Sequence, residues 1–106
     1  MNREQFSRSI GLLGEEKFNL IQDKVIAIFG LGGVGGTALE ALARTGFKHF
    51  LIVDFDKVDP SNLNRQILYT SKDVGRLKVE VAKERILAIN EEADIKAFAV
   101  KAQEFN

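Results

Sequence analysis

The chain has 106 residues, 45% hydrophobic and 28% charged, enough apolar material for one globular core of ordinary size. Its 15 basic and 15 acidic side chains cancel, so no global field draws it to nucleic acid or a membrane surface, and any polyanion must be met locally. The absence of cysteine excludes a disulfide framework, a thiolate metal site and a thioester nucleophile within this stretch.

The polar start, Met1 to Gln5, leads into no long apolar run, so neither a secretory signal nor a spanning helix is indicated and a cytoplasmic location is expected. Glu15 to Ile21 carries Phe18 and Ile21 at helical spacing, a short amphipathic helix lying across the main fold. Val25 to Phe29 is a continuous apolar run that reads as a buried parallel strand. A glycine cluster follows, and from about Gly35 the residues Val34, Ala38, Ala41, Leu42 and Thr45 recur at helical intervals until Gly46 offers a C-terminal cap. His49 to Val53 is a second apolar run ending in Asp54, which completes a βαβ unit with an expected right-handed crossover.

Phe55 to Arg76 has no sustained periodicity, holds the only proline (Pro60) and is rich in polar residues; a loop of this length in a compact domain is usually functional. Lys78 to Ile89 resumes helical spacing through Val79, Ala82, Ile86 and Ile89, with Glu80 and Glu84 opposite, and Ile95 to Val100 supplies a third strand. The expected fold is α/β: a Rossmann-like half of a doubly wound parallel sheet, three strands in spatial order 3-2-1 with flanking helices and an N-terminal helix. Residues 1–23 form an arm and helix and 24–106 the Rossmann-like unit. The first strand is left uncovered at its far edge, and on that ground the chain is expected to be the N-terminal part of a larger domain.

Gly30-Leu31-Gly32-Gly33-Val34-Gly35 fits G-x-G-x-x-G directly after a strand and before a helix, the context that gives the pattern meaning. Glycines there let phosphate oxygens approach backbone N–H groups and the positive end of the helix. Asp54, ending the second strand, is placed to accept ribose hydroxyls. These residues predict a ribose-phosphate ligand and leave NAD and ATP both open. The loop beyond Asp54 favours phosphate chemistry: attack of a carboxylate on an α-phosphate builds negative charge that fixed cations stabilise, and Arg65 and Lys78 are suitable cations. Asp56 and Asp59 read equally as ligands and as turn residues bonding their own backbone. His49, the only histidine, has no acidic or nucleophilic neighbour in a matching motif and is read as structural.

With these motifs stated, the chain resembles the ThiF-type superfamily of adenylyltransferases, which includes ubiquitin-activating enzymes and activators of thiamine and molybdopterin sulfur carriers. The resemblance rests on four motifs in order, from Phe6 to about Asn90: the glycine loop, Asp54-Phe55-Asp56, Ser61-Asn62-Leu63-Asn64-Arg65-Gln66, and Val74-Gly75-Arg76-Leu77-Lys78. It implies an ATP site with Gly30, Gly32, Gly33 and Gly35 at the phosphates and Asp54 on the ribose. Asn62, Arg65 and Lys78 would contact the phosphates, with Asp56 and Gln66 in the same pocket. Arg8 would reach the γ-phosphate in the other subunit of a homodimer. The resemblance also implies Mg²⁺, held by an aspartate beyond residue 106, so no metal ligand is assigned within this chain. Gln5 to Arg8, Glu40 to Gly46, Asn64 to Ile67 and Lys83 to Ile86 are most similar to the tRNA threonylcarbamoyladenosine dehydratase branch, which acts on a carboxylate at adenosine 37 of tRNA. Ile67-Leu68-Tyr69 departs from the histidine usual after that branch's Arg-Gln pair, and Ser61-Asn62-Leu63 is shared with the sulfur-carrier activators. The alternatives are activation of a ubiquitin-like sulfur carrier, an NAD-binding oxidoreductase, and a non-catalytic interaction domain; the chain alone is expected to bind ATP weakly and to catalyse no pyrophosphate exchange.

Overall fold

A computed structural model describes residues 4–60 and 69–101. Helix α1, Ser7–Leu13, precedes α2, Glu15–Ile21, with Gly14 between them. Strand β1, Val25–Phe29, leads through the glycine loop into α3, Gly33–Thr45, and on to β2, His49–Val53. After the polar loop, a 3₁₀ turn at Ser71–Asp73 precedes α4, Lys78–Ile89, and β3, Asp94–Phe98.

The three strands form one parallel sheet in order β1-β2-β3, the 3-2-1 order read from its other edge. The register sets Ile26, Phe50 and Ile95 in one row and Ile28, Ile52 and Ala97 in the next. Both rows face α3 and α4, and with Leu39, Ala43, Val79, Ala82 and Ile86 they make the core. Two right-handed crossovers taken in the same direction put both helices on one face, which is why the core is one-sided.

The same one-sidedness corrects the expectation for β1. Its apolar run is half-buried on alternate residues only, at Ile26 and Ile28, while Val25 is 67% exposed and Phe29 51%. A continuous apolar run suits a strand covered on both faces, and here one face has its helices while the other does not. The buried stripe of α3 also differs from expectation. Ala38 and Ala41 are exposed, whereas Leu39 and Ala43 are fully buried. The contact face is continued toward the loop by Gly35, which has no hydrophobicity to show: a Cβ there would lie 2.2 Å from the Gly30 carbonyl oxygen. The helix begins at Gly33, earlier than Gly35, and β3 ends at Phe98, short of Val100.

Helix α2 crosses the fold as expected. Its fully buried Phe18 packs against Phe6 with ring centroids 6.0 Å apart and planes tilted by 40°, and fills the notch at Gly46, where a Cβ would come within 2.6 Å of the Phe18 ring. Gly46 also has φ +123°, a conformation only glycine adopts without strain, so the C-cap of α3 serves as the seat of α2. Gln22 Nε2 adds a bond to the Gly46 carbonyl at 3.0 Å. Helix α1 buries no residue of its own, which explains why its sequence carries no stripe to read.

The polar loop is clamped where it leaves and re-enters the domain. Lys57 and Leu77 form an isolated antiparallel bridge, Val58 N–H donates to the Arg76 carbonyl at 2.8 Å, and Gly75 N–H donates to the Val58 carbonyl at 2.9 Å. Val58 and Tyr69 enter the core from this loop, so it has an apolar anchor on each side.

Candidate functional site

The carboxyl ends of β1 and β2 are where an open parallel sheet places its ligands. Asp54 follows β2 and is 8% exposed. Its Oδ2 accepts the Leu31 N–H at 2.6 Å and its Oδ1 the Asp56 N–H at 2.7 Å. The second bond is a two-residue turn of the kind aspartate makes with its own backbone. The acid expected at a ribose therefore also bolts the glycine loop to the turn after β2. An ionised carboxylate has about four acceptor positions, so both oxygens keep capacity for hydroxyl donors.

Lys78 opens α4, and its backbone N–H donates to the Asp56 carbonyl at 3.0 Å. The residue is only 6% exposed, and its Nζ lies 5.9 Å from the centroid of the Tyr69 ring, within reach of a cation–π attraction. A buried ammonium at the positive end of a helix is electrostatically unfavourable, so an anion placed nearby would be bound strongly. Tyr69 donates its hydroxyl to the Leu31 carbonyl at 3.1 Å. Burial, followed by the charges of Asp54, Asp56 and Asp73, pushes the phenol well above its ordinary range, so it remains a donor at physiological pH.

Beside Asp54 opens a cleft of about 430 Å³ lined by Phe29, Gly30, Val53, Phe55, Asp56, Val100 and Lys101. Its wall combines two carboxylates with apolar side chains, and Lys101 Nζ lies 5.5 Å from the Phe55 ring centroid. A depression of about 250 Å³ between Gln5 and the end of α4 holds none of the groups named for the site.

The structure brings together Gly30, Gly32, Gly35, Asp54, Asp56 and Lys78, with Gly33 at the start of α3. Asn62, Arg65 and Gln66 lie outside the described residues. Arg8 is exposed on α1, and among the described residues no contact links it to the glycine loop. His49 does have an acidic neighbour: strand pairing sets it opposite Asp94, with Nδ1 3.4 Å from Oδ2, at the end of the sheet away from Asp54. Leu31 and Tyr69 were missed as site residues. The one available signal was that the chain's only tyrosine follows the apolar pair Ile67-Leu68 within a loop rich in polar residues. Among the described residues no three His, Cys, Asp or Glu side chains converge to hold a metal ion.

Residues 6–106 match the ThiF family, a span that contains all four ordered motifs. The chain belongs to the ThiF family. It is 41% identical over 104 residues to SUMO-activating enzyme subunit 2 of Dictyostelium discoideum, covering 96% of this chain and 16% of that protein. It is 43% identical over 91 residues to the tRNA threonylcarbamoyladenosine dehydratase of Bacillus subtilis, covering 86% of this chain and 36% of the relative. Among solved structures, the Escherichia coli tRNA N6-threonylcarbamoyladenosine dehydratase in complex with ATP superposes with a TM-score of 0.91 at 40% identity, over 93% of this chain and 41% of that one. The chain thus spans well under half the length of these ThiF-family relatives. No helix among the described residues is long and apolar enough to cross a membrane.

Proposed function

We propose that this chain supplies the nucleotide-binding part of an ATP-dependent adenylyltransferase whose substrate carboxylate is the threonylcarbamoyl group at adenosine 37 of tRNA. The observation that carries this reading is the joining of a glycine loop, a buried acid and a buried lysine at one end of the sheet. The glycine loop offers backbone N–H groups to phosphate oxygens at the start of α3. Asp54 accepts the ribose hydroxyls with the acceptor capacity its two backbone bonds leave. Lys78 presents a fixed positive charge that gains most when charge builds on the α-phosphate in the transition state. The carboxylate oxygen bonds to the α-phosphorus, the bond to the bridging oxygen of the β-phosphate breaks, and pyrophosphate leaves. Ring closure by intramolecular attack would then expel AMP. Asn62 and Arg65 are proposed as further phosphate contacts, with Gln66 shaping the pocket. Mg²⁺, which the resemblance implies, is assigned to no residue of this chain, and none of these steps is routed through it.

The likeness to two proteins named as tRNA threonylcarbamoyladenosine dehydratases, one solved with ATP, supports this substrate. Likeness to a SUMO-activating subunit supports a second reading, activation of a ubiquitin-like carrier's carboxyl terminus. Arg8, exposed on α1, is proposed to serve the neighbouring nucleotide of a homodimer. Titration with ATP and NAD tests the nucleotide: ATP is expected to bind more tightly, and the reverse order would sink the adenylation reading, since an NAD site has no use for Lys78. To separate the substrates, AMP release is measured from the coding sequence extended to the relatives' full length. Release that depends on threonylcarbamoylated tRNA is expected, and release only with a small carrier protein would establish the second reading.

A further inference from the structure

We propose that Tyr69 is a positioning residue that aims the Gly32 amide of the phosphate-binding loop and holds Lys78 in register with it. The proposal rests on the nucleotide reading above for its purpose, though not for its geometry. The contacts form a closed ring. Leu31 N–H donates to Asp54, Asp54 accepts from Asp56 N–H, the Asp56 carbonyl accepts from Lys78 N–H, and the Lys78 ammonium lies over the Tyr69 ring. The Tyr69 hydroxyl closes it by donating to the Leu31 carbonyl. Leu31, fully buried, is thereby held at both its N–H and its carbonyl.

The carbonyl of Leu31 and the N–H of Gly32 belong to one planar peptide unit, and no cis peptide is present. In a trans unit the two groups point in opposite directions. Gripping the Leu31 oxygen from the core therefore turns the Gly32 N–H outward, at the exposed N-cap of α3 where a phosphate would sit. The ring face of the same side chain carries the Lys78 ammonium. One residue thus couples the amide donor to the ammonium, and a phenylalanine could do only half of this.

Two variants separate the halves. Tyr69→Phe keeps the ring and loses the hydroxyl, while Tyr69→Leu loses both. Without nucleotide, amide exchange at Leu31, whose N–H is bonded to Asp54, is expected to rise roughly fivefold in Tyr69→Phe, the loss of about one hydrogen bond, with exchange in β2 unchanged. The ring-current displacement of the Lys78 side-chain protons should survive in Tyr69→Phe and vanish in Tyr69→Leu. The dissociation constant for ATP should rise several-fold in the first variant and further in the second. Exchange at Leu31 that stays at the wild-type rate in Tyr69→Phe, or a rise shared evenly through β2, would overturn the proposal. Failure of the wild-type chain to bind ATP would instead overturn the nucleotide reading, because exchange and ring-current shifts report the ring of contacts without any ligand.

Discussion

Asp54 holds two backbone amides and is also the group proposed to hold a ribose, so its charge has structural and binding consequences that one substitution exposes together. Asp54→Asn keeps one acceptor oxygen but turns an NH₂ toward either Leu31 N–H or Asp56 N–H, setting donor against donor. The expected cost is about 2 kcal/mol, since hydrogen bonds to a charged group are the stronger kind, read as a lower urea midpoint. ATP affinity should fall at least about tenfold in the same protein, more than one neutral hydrogen bond accounts for.

Glu40 shows how a buried acid can report on pH. Burial pushes its pKa up, but hydrogen bonds from Arg85 and then Arg44 outweigh this and hold it below the ordinary 4.5. A depressed carboxylate stabilises the fold fully above its unfolded value and loses that contribution as pH falls through the folded one. Glu40→Gln is expected to be less stable at pH 7 by about 1–2 kcal/mol, the arginines being half-exposed and screened. The gap between variant and wild type should close as pH is lowered below 4.5, in denaturation curves taken at several pH values. A gap that persisted at low pH would mean the side chain matters for packing alone.

Among the elements, α3 depends on glycines at each end for different reasons. Gly35 permits the helix to rest on the Gly30 carbonyl, and the atom that a Cβ would strike is backbone, which cannot move aside cheaply. Gly35→Ala is expected to destabilise by more than about 2 kcal/mol, with exchange protection lost first across β1 and the start of α3. Gly46→Ala combines a strained φ with a clash against Phe18, so it should detach α2 as well as weaken the cap. A fluorescent or NMR probe on α2 would register this before the sheet melts. Element boundaries were legible where an apolar run met polar or glycine residues on both sides: α2, β1, β2 and α4 agree with expectation to the residue. Helix α1 was not, because it buries nothing, and the stripe of α3 was misread because part of its contact face is glycine.

For the whole molecule, the deciding feature is that both crossover helices lie on one face. The other face presents Val25 and Ala27 of β1 and Leu51 of β2, and among the described residues no strand pairs with the far edge of β1. Exposed apolar edges of parallel sheets promote association. Val25→Lys is therefore expected to reduce concentration-dependent self-association in sedimentation velocity while changing the unfolding midpoint little, the side chain being largely in solvent already. Association unchanged by the substitution would locate the sticky surface elsewhere.

The strand-loop-helix order, the glycine pattern and the acid at the end of β2 were determined by sequence alone, because each depends on neighbours a few residues apart with a period of 2 or 3.6. The face that is buried, the double engagement of Asp54 and the Tyr69–Lys78 contact were decided only by tertiary structure. Tyr69 reaches a carbonyl 38 positions away, and no local pattern encodes a contact that exists only once β1, β2 and α4 are in register.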